Sequence, residues 1–303
     1  MASSVYAAVD WGTSSFRLWL LDANGNVLAE SRGQDGMTQA AAKGFEKTLE
    51  DHLERVGAES HVPVIACGMV GAKQGWVEAG YVDVPALLPA VLKAAVKIPY
   101  EKRDVRILPG LAQRTSDAPD VIRGEETQLL GAIDATHAVQ TVCMPGTHSK
   151  WVYLSGEMVT GFSTFMTGEL FDAITKHTIL SHATAGAEHT KLNIAAFKKA
   201  VVAAFEKPGM ATNFLFSARS GQILHGLSAA GAAAHISGTL IGLEMAGALS
   251  ARAQTATITL VASGRLLDLY EKAFDVLSLP YQTVDADTAV RRGLSAAAGS
   301  ILS

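Results

Sequence analysis

Asp10-Trp11-Gly12-Thr13-Ser14-Ser15 and Met144-Pro145-Gly146-Thr147-His148-Ser149 share a Gly-Thr-x-Ser core at an offset of 134 residues. Each follows a short apolar run that reads as a strand, residues 5–10 in one case and 141–144 in the other. Each leads into an aromatic-containing strand, 16–22 or 150–154, and then a tight turn, Asn24-Gly25 or Ser155-Gly156-Glu157. Asn-Gly is a strong hairpin signal, because a type I′ turn needs positive φ at both central positions. The offset is far too long for a solenoid period. It predicts two similar domains, each opening on an antiparallel meander and each offering a hairpin loop to one shared cleft.

Working outward, residues 38–56 place Ala41, Phe45, Leu49, Leu53 and Val56 at helical spacing, with Gly57 as the stop, so one helix is expected. A buried strand is expected over 62–67, a helix over 85–96, a strand over 105–108 and a loop entering a helix over 120–133. After a strand at 158–164, helices are expected over 168–180, 195–205, 223–253, 266–276 and 288–302. A β-branched strand, 257–262, stops at Ser263-Gly264. The pattern is α/β, with a mixed sheet flanked by helices in each of two domains, 1–136 and 137–303. Hinges are expected near 134–140 and near the C-terminal helix.

The 303 residues are 49% apolar and carry a net charge of −4, enough for a sizeable core and without the basic stripe of a nucleic-acid binder. Cys67 and Cys143 sit in apolar runs and outside any CxxC pair, as buried thiols in a reducing compartment do. Residues 1–10 lack the basic and long apolar regions of a secretory signal. The Ala- and Gly-rich stretch 223–253 is interrupted by His225, His235 and Glu244, so a pair of buried, closely packed helices is expected rather than a membrane span. The expected partner is a small molecule in the cytoplasm, not nucleic acid or membrane. A homodimer is left open.

The small residues around Gly12 let backbone N–H groups approach an anion, and Thr13, Ser14 and Ser15 add hydroxyls. Asp10 suits a Mg²⁺ ion held through water and phosphate oxygens. Arg17 reaches a phosphate or is a solvated strand residue. Gly146, Thr147, His148 and Ser149 would contact the same phosphates from the other side, with His148 as an alternative general base. In Arg123-Gly124-Glu125-Glu126-Thr127-Gln128, either glutamate could accept the proton of an attacking hydroxyl, and both also suit a helix N-terminus. Gly68-Met69-Val70-Gly71-Ala72-Lys73-Gln74-Gly75-Trp76 offers a sugar-acid pocket, with Lys73 for a carboxylate and Gln74 for hydroxyls. Ser263-Gly264, between strand and helix, could border a nucleotide base or ribose. His177, His182 and His189 match no metal-binding spacing.

With these strings in order, and with Phe165-Met166-Thr167-Gly168-Glu169-Leu170 and Phe216-Ser217-Ala218-Arg219 added, the chain resembles the 2-dehydro-3-deoxygalactonokinase family. These are sugar-acid kinases of the actin/hexokinase/Hsp70 superfamily. The resemblance implies two ribonuclease H-like (actin-like ATPase) domains around an interdomain cleft. It implies ATP- and Mg²⁺-dependent phosphorylation of the 6-hydroxyl of 2-dehydro-3-deoxy-D-galactonate. It places Asp10 at the metal and γ-phosphate, Gly12 to Ser14 and Gly146 to Ser149 at phosphates, and Gly264 at the adenosine. Glu125 becomes the catalytic carboxylate, with Glu126 one residue away in register. Gly68, Met69, Lys73, Gln74, Trp76 and Arg123 form the acceptor group. The chain departs from many superfamily members in showing only Ser263-Gly264 where they carry two or three glycines. Rival readings are a kinase for another 2-keto-3-deoxy acid such as the gluconate epimer, an exopolyphosphatase-like hydrolase, and an actin-like filament or regulatory protein.

Overall fold

In the computed structural model, which describes residues 5–133, 139–187, 191–250 and 257–302, the first apolar run becomes β1 (Tyr6–Trp11). It forms a hairpin with β2 (Phe16–Leu21), which pairs with β3 (Val27–Gly33). In the turn between β2 and β3, Gly25 takes positive φ (78°) and Asn24 does not, so the expected type I′ turn is absent. The Asp22 carboxylate accepts from the Asn24 and Asn26 N–H groups instead.

The single helix expected over 38–56 is two, α1 (Met37–Lys43) and α2 (Phe45–Arg55). Gly44 separates them at φ 97°, a conformation that ends α1 and that a side chain would resist. After β4 (Val64–Gly68) come β5 (Tyr81–Asp83), β6 (Ala86–Leu87), α3 (Leu88–Lys93) and β7 (Val96–Lys97). The helix expected over 85–96 is therefore one short helix between two very short strands. Then follow β8 (Val105–Ile107), β9 (Gly110–Gln113), β10 (Asp120–Ile122) and α4 (Glu125–Ala132).

The later elements are β11 (Val139–Met144), β12 (Ser149–Ser155), β13 (Met158–Phe165), α5 (Thr167–His177), α6 (Ser181–Thr184), α7 (Ile194–Glu206), α8 (Ala211–His225), α9 (Ala229–Ser250), β14 (Ile258–Ala262), α10 (Gly264–Val276), β15 (Tyr281–Asp285) and α11 (Ala286–Ile301). Of the hinge expected near 134–140, residues 134–138 lie outside the described residues.

Contacts divide the chain into two units. Unit 1 is Met1–Gln140, Val152–Phe162 and Val284–Ser303; unit 2 is Thr141–Trp151 and Ser163–Thr283. Unit 1 contains the sheet β3-β2-β1-β4-β8-β7 and the smaller sheet β10-β9-β5. β1 pairs antiparallel with β2 and parallel with β4, so the large sheet is mixed. Its central strands are buried on both faces. Ala7, Val9 and Trp11 point into one cluster with Leu49 and Leu53 of α2. Tyr6 and Ala8 point into the other, with Val290, Leu294 and Ala297 of α11. Strand alternation puts Asp10 on the same face as Tyr6 and Ala8, the face that α11 covers.

α4 and α11 cross at glycines. A Cβ on Gly131 would strike the Ala289 carbonyl oxygen, and one on Gly293 would strike the Thr127 carbonyl oxygen.

In unit 2, β14 pairs parallel with β11, and the order is β15-β14-β11-β12. Of the stretch expected to hold a pair of helices, residues 223–250 are described; they hold the end of α8, a turn at Gly226 (φ 64°) and one long helix, α9. The close partner of α9 is α7: Gly238 and Gly242 lie against the Phe197 and Val201 carbonyls. By length and composition α9 could cross a bilayer, yet 61% of its apolar window is buried inside the protein.

Candidate active site

The first glycine turn is held from behind. Gly12 N–H donates to Ser15 O at 2.9 Å, and the first amides of α1, Met37 and Thr38, donate to the carbonyls of Gly12 (2.9 Å) and Thr13 (3.1 Å). Gly36 makes this approach feasible, because a Cβ there would sit about 2.5 Å from Ser14 backbone atoms. Thr13 and Ser14 are left exposed, facing away from their support.

Asp10 and Arg17 are directly paired across the β1–β2 hairpin. Arg17 Nη2 lies 3.4 Å from Asp10 Oδ2, and the Arg17 guanidinium also binds Asp287, in the first turn of α11. Asp287 in turn binds Arg32 at 2.8 Å. Burial raises the Asp10 pKa, Arg17 opposes that rise, and the charges of Asp287 and Glu125 add to it. The Asp10 side chain keeps 15% exposure, so it remains reachable.

Parallel pairing of β1 with β4 sets Asp10 beside Cys67 and Trp11 beside Gly68. Gly68 takes φ 92°, and a Cβ on it would meet Trp11 O at 2.7 Å and Asp10 Oδ1 at 3.5 Å. Gly124, at φ 101°, approaches the Gly68 Cα to 3.3 Å by the same measure. Three glycine-bearing turns, at residues 12, 68 and 124, thus gather near the Asp10 end of β1.

The two glutamates of α4 part company there. Glu126 is 0% exposed; its Oε2 accepts from Gly124 N–H at 2.7 Å and its Oε1 from Thr127 Oγ1 at 2.9 Å. Burial, reinforced by Glu125, pushes its pKa up to about 8. Glu125 is half-buried and its Oε2 accepts from Arg123 N–H at 2.9 Å.

The residues of the expected acceptor group lie in or against the turn after β4, with different exposures; a Cβ on Gly71 would meet Arg123 Nη1 at 3.0 Å. Gly68 is buried and Met69 half-buried at the turn, while Lys73 and Gln74 are exposed. Trp76 packs in an aromatic cluster, stacked 6.2 Å from Phe45 and edge-on to Trp11 and Tyr100. Arg123 Nη2 donates to Gly80 O at 2.9 Å, and its guanidinium lies 4.3 Å from the centre of the Tyr81 ring. Arg123 Nε and Nη1 are buried and find no acceptor among the described residues.

Unit 2 repeats the device of unit 1. Glu169 N–H, in the first turn of α5, donates to Thr147 O at 3.0 Å. A Cβ on Gly168 would fall 2.6 Å from Gly146 O and 2.9 Å from Thr147 Cα. The second turn is thus backed by a helix start and a glycine, as the first is by Met37 and Gly36. Thr147 and His148 are exposed, and His148 Nε2 pairs with Glu169 Oε2 at 2.5 Å. Ser149 is 1% exposed and bonded to the Tyr270 hydroxyl, so its hydroxyl faces inward rather than into the turn.

Gly146, Thr147, Thr167 and Gly168 border a cavity of about 400 Å³, with Leu240, Ile241, Leu266 and Leu269 as apolar walls and Arg265 as a cation. Ser263 and Gly264 begin α10 just before that wall, and the space around Gly264 is open.

Glu169 and Asp172 also line the cavity, so its charge is mixed. The volume lies within the range of small-ligand sites, and the apolar walls beside Arg265 and a glycine turn have room for a nucleotide. Among the described residues there is no cluster of three or more His, Cys, Asp or Glu arranged for a metal. Mg²⁺ on a nucleotide needs only one or two carboxylates, the rest being phosphate and water oxygens, so Asp10 fits that group. His177 and His182 are exposed, and His189 lies outside the described residues.

Sequence reasoning missed Gly36, Asp287, Arg265, Leu269 and Tyr270 as neighbours of these sites. Asp287 has no local signal beyond the first turn of a helix. Arg265, Leu269 and Tyr270 follow Ser263-Gly264 at helical spacing, which would have extended that weak turn into a wall.

A family model described as 2-keto-3-deoxy-galactonokinase matches residues 10–297. A Rhizobium meliloti (strain 1021) protein described as a probable 2-dehydro-3-deoxygalactonokinase is 58% identical over 98% of this chain and 97% of its own. The 2-dehydro-3-deoxygalactonokinase of Escherichia coli (strain K12) is 31% identical over 98% of each. A crystal structure from Sinorhizobium meliloti, of a protein with that same designation, superposes with a TM-score of 0.94 at 57% identity, over 98% of this chain and 99% of that one. The fold class is α/β with mixed sheets flanked by helices, the actin-like fold that the family resemblance implied. The chain therefore belongs to the 2-keto-3-deoxy-galactonokinase family.

Proposed function

We propose that the protein is an ATP-dependent kinase that phosphorylates the 6-hydroxyl of 2-dehydro-3-deoxy-D-galactonate; the names of its relatives support a 2-dehydro-3-deoxygalactonokinase. The observation that carries the residue roles is the convergence of Asp10, Gly68 and Gly124 at the end of β1, with Glu125 close enough to raise the Asp10 pKa. Bound MgATP supplies the phosphoryl group and a cation to offset charge developing on it.

Glu125 accepts the proton of the attacking hydroxyl, because it is the half-exposed glutamate of the pair, while Glu126 caps its own helix. Asp10 would hold the metal through water, and Arg17, 3.4 Å away, opposes the rise that burial imposes on the Asp10 pKa. Half-buried Gly12 with exposed Thr13 and Ser14 is one phosphate-binding group, and half-buried Gly146 with exposed Thr147 and His148 is another. The cavity beside α10 takes the adenosine, with Ser263 and Gly264 at its edge. Lys73 and Gln74 are free to reach the acid and hydroxyls of the acceptor from the turn after Gly68-Met69; Arg123 steadies that turn through Gly80, and Trp76 anchors it in the core.

The domains 1–136 and 137–303 remain our reading in chain order; by contacts, residues 137–140, 152–162 and 284–303 group with unit 1. Two buried free thiols accord with a cytoplasmic protein.

ADP release measured over a panel of 2-keto-3-deoxy sugar acids tests this reading. The galactonate compound is expected to give the highest kcat/KM, with its gluconate epimer slower. Equal turnover without any sugar acid would instead mark a hydrolase.

A further inference from the structure

Glu244 is a carboxylate in the middle of an apolar helix, 1% exposed, with Leu240, Ile241, Met245 and Ala248 as buried neighbours on α9. A buried charge is tolerated when its oxygens are saturated with donors. Here the donors come from three other elements. Trp151 Nε1 of β12 donates to Oε1 at 2.8 Å; the Tyr270 hydroxyl of α10 donates to Oε2 at 2.7 Å; and Thr167 Oγ1 of α5 donates to the same oxygen.

With the single Tyr270 proton directed at Glu244 Oε2, Ser149 is the donor to the Tyr270 oxygen, at 2.9 Å. Ser149 also lies within hydrogen-bonding reach of Glu244 itself, so Ser149, Tyr270 and Glu244 form one buried cluster. Burial pushes the Glu244 pKa up and these donors pull it back.

Thr167 and Tyr270 both line the 400 Å³ cavity, and Ser149 ends the glycine turn whose Gly146 and Thr147 line it too. An aliphatic residue would pack into α9 as well as a carboxylate does, so helix packing alone does not call for Glu244.

We propose that Glu244 is a positioning residue for the nucleotide: it fixes Thr167, Tyr270 and, through Tyr270, the Ser149 end of the second glycine turn. The proposal rests on the reading of this cavity as the nucleotide site. The carboxylate touches no ligand itself; it sets the shape and hydroxyl directions of the wall that does.

Glu244→Gln tests it in the full chain. Glutamine keeps the volume but puts an amide donor where one acceptor was, which reverses at least one hydroxyl. The KM for ATP is expected to rise about tenfold, the loss of one charge-assisted hydrogen bond, with the KM for the sugar acid unchanged within twofold. Calorimetric titration with ATP should show the same loss.

Leu266→Trp, at an exposed wall position, is the control for the site and should block ATP binding. An unaltered ATP affinity in Leu266→Trp would remove the cavity reading, and the proposal with it. A blocked Leu266→Trp with a normal KM for ATP in Glu244→Gln overturns the positioning role alone. Equal rises in both KM values, with a lowered melting temperature, would reduce Glu244 to general scaffolding and also overturn it. Should Glu244→Gln fail to fold, Tyr270→Phe takes its place. It removes one hydroxyl, a rise of about threefold in the KM for ATP is expected, and no rise overturns the proposal.

Discussion

Glu126 has no exposed surface and spends both oxygens on the start of its own helix, whereas Glu125 keeps a face toward solvent and perturbs Asp10. The two were interchangeable in the string Gly-Glu-Glu, because a helix start accepts an acid at either position. Glu125→Gln is expected to lower kcat by about a hundredfold or more, the usual scale of general-base loss. Glu126→Gln should stay within severalfold, and steady-state ADP release decides between them.

Glu126 also has a pH signature. Its folded pKa of about 8 lies above the ordinary 4.5, so the folded state holds a proton that the unfolded chain releases. The stability contribution is full below pH 4.5, falls as pH rises, and is gone above about 8. Glu126→Gln, an isostere of the protonated form, should flatten the urea-measured stability profile across that window. An unchanged slope would mean that the carboxylate is already ionised near neutrality.

Among the elements, the α4–α11 crossing shows what periodicity leaves out. Both helices were legible, but nothing in either pattern says that Gly131 and Gly293 let two backbones meet. Gly293→Leu is expected to cost at least about 2 kcal/mol by denaturant titration, because the colliding atom is a carbonyl oxygen that cannot swing away. In the same helix, Gly299 has nothing within 4 Å of an added Cβ. Gly299→Ala should therefore stabilise by about 0.5–1 kcal/mol through helix propensity and a less mobile unfolded chain. The break at Gly44 belongs to the same class of miss. The apolar spacing of residues 38–56 runs on through it, and only a glycine at positive φ reveals that one helix has become two.

For the whole molecule, binding of MgATP to the folded state alone stabilises by mass action, about 2.7 kcal/mol at a hundredfold excess over Kd. A thermal-shift titration should show the melting temperature rising with MgATP, and the rise shrinking with EDTA or in Asp10→Asn. A full shift in Asp10→Asn would remove the metal role from Asp10.

Asp10-Trp11-Gly12-Thr13 and Pro145-Gly146-Thr147-His148 were enough to announce a repeated strand–turn–strand, because glycine and small hydroxyl residues have few other uses at the end of an apolar run. The family followed from such strings, since local chemistry is written in consecutive residues. The backing of each turn by Gly36 or Gly168, the placement of Asp287 on Arg17 and the burial of Glu126 were not written there. Each depends on which atoms far apart in the chain come within a few ångströms of one another. Close packing settles that only once sheet register and helix crossings are in place.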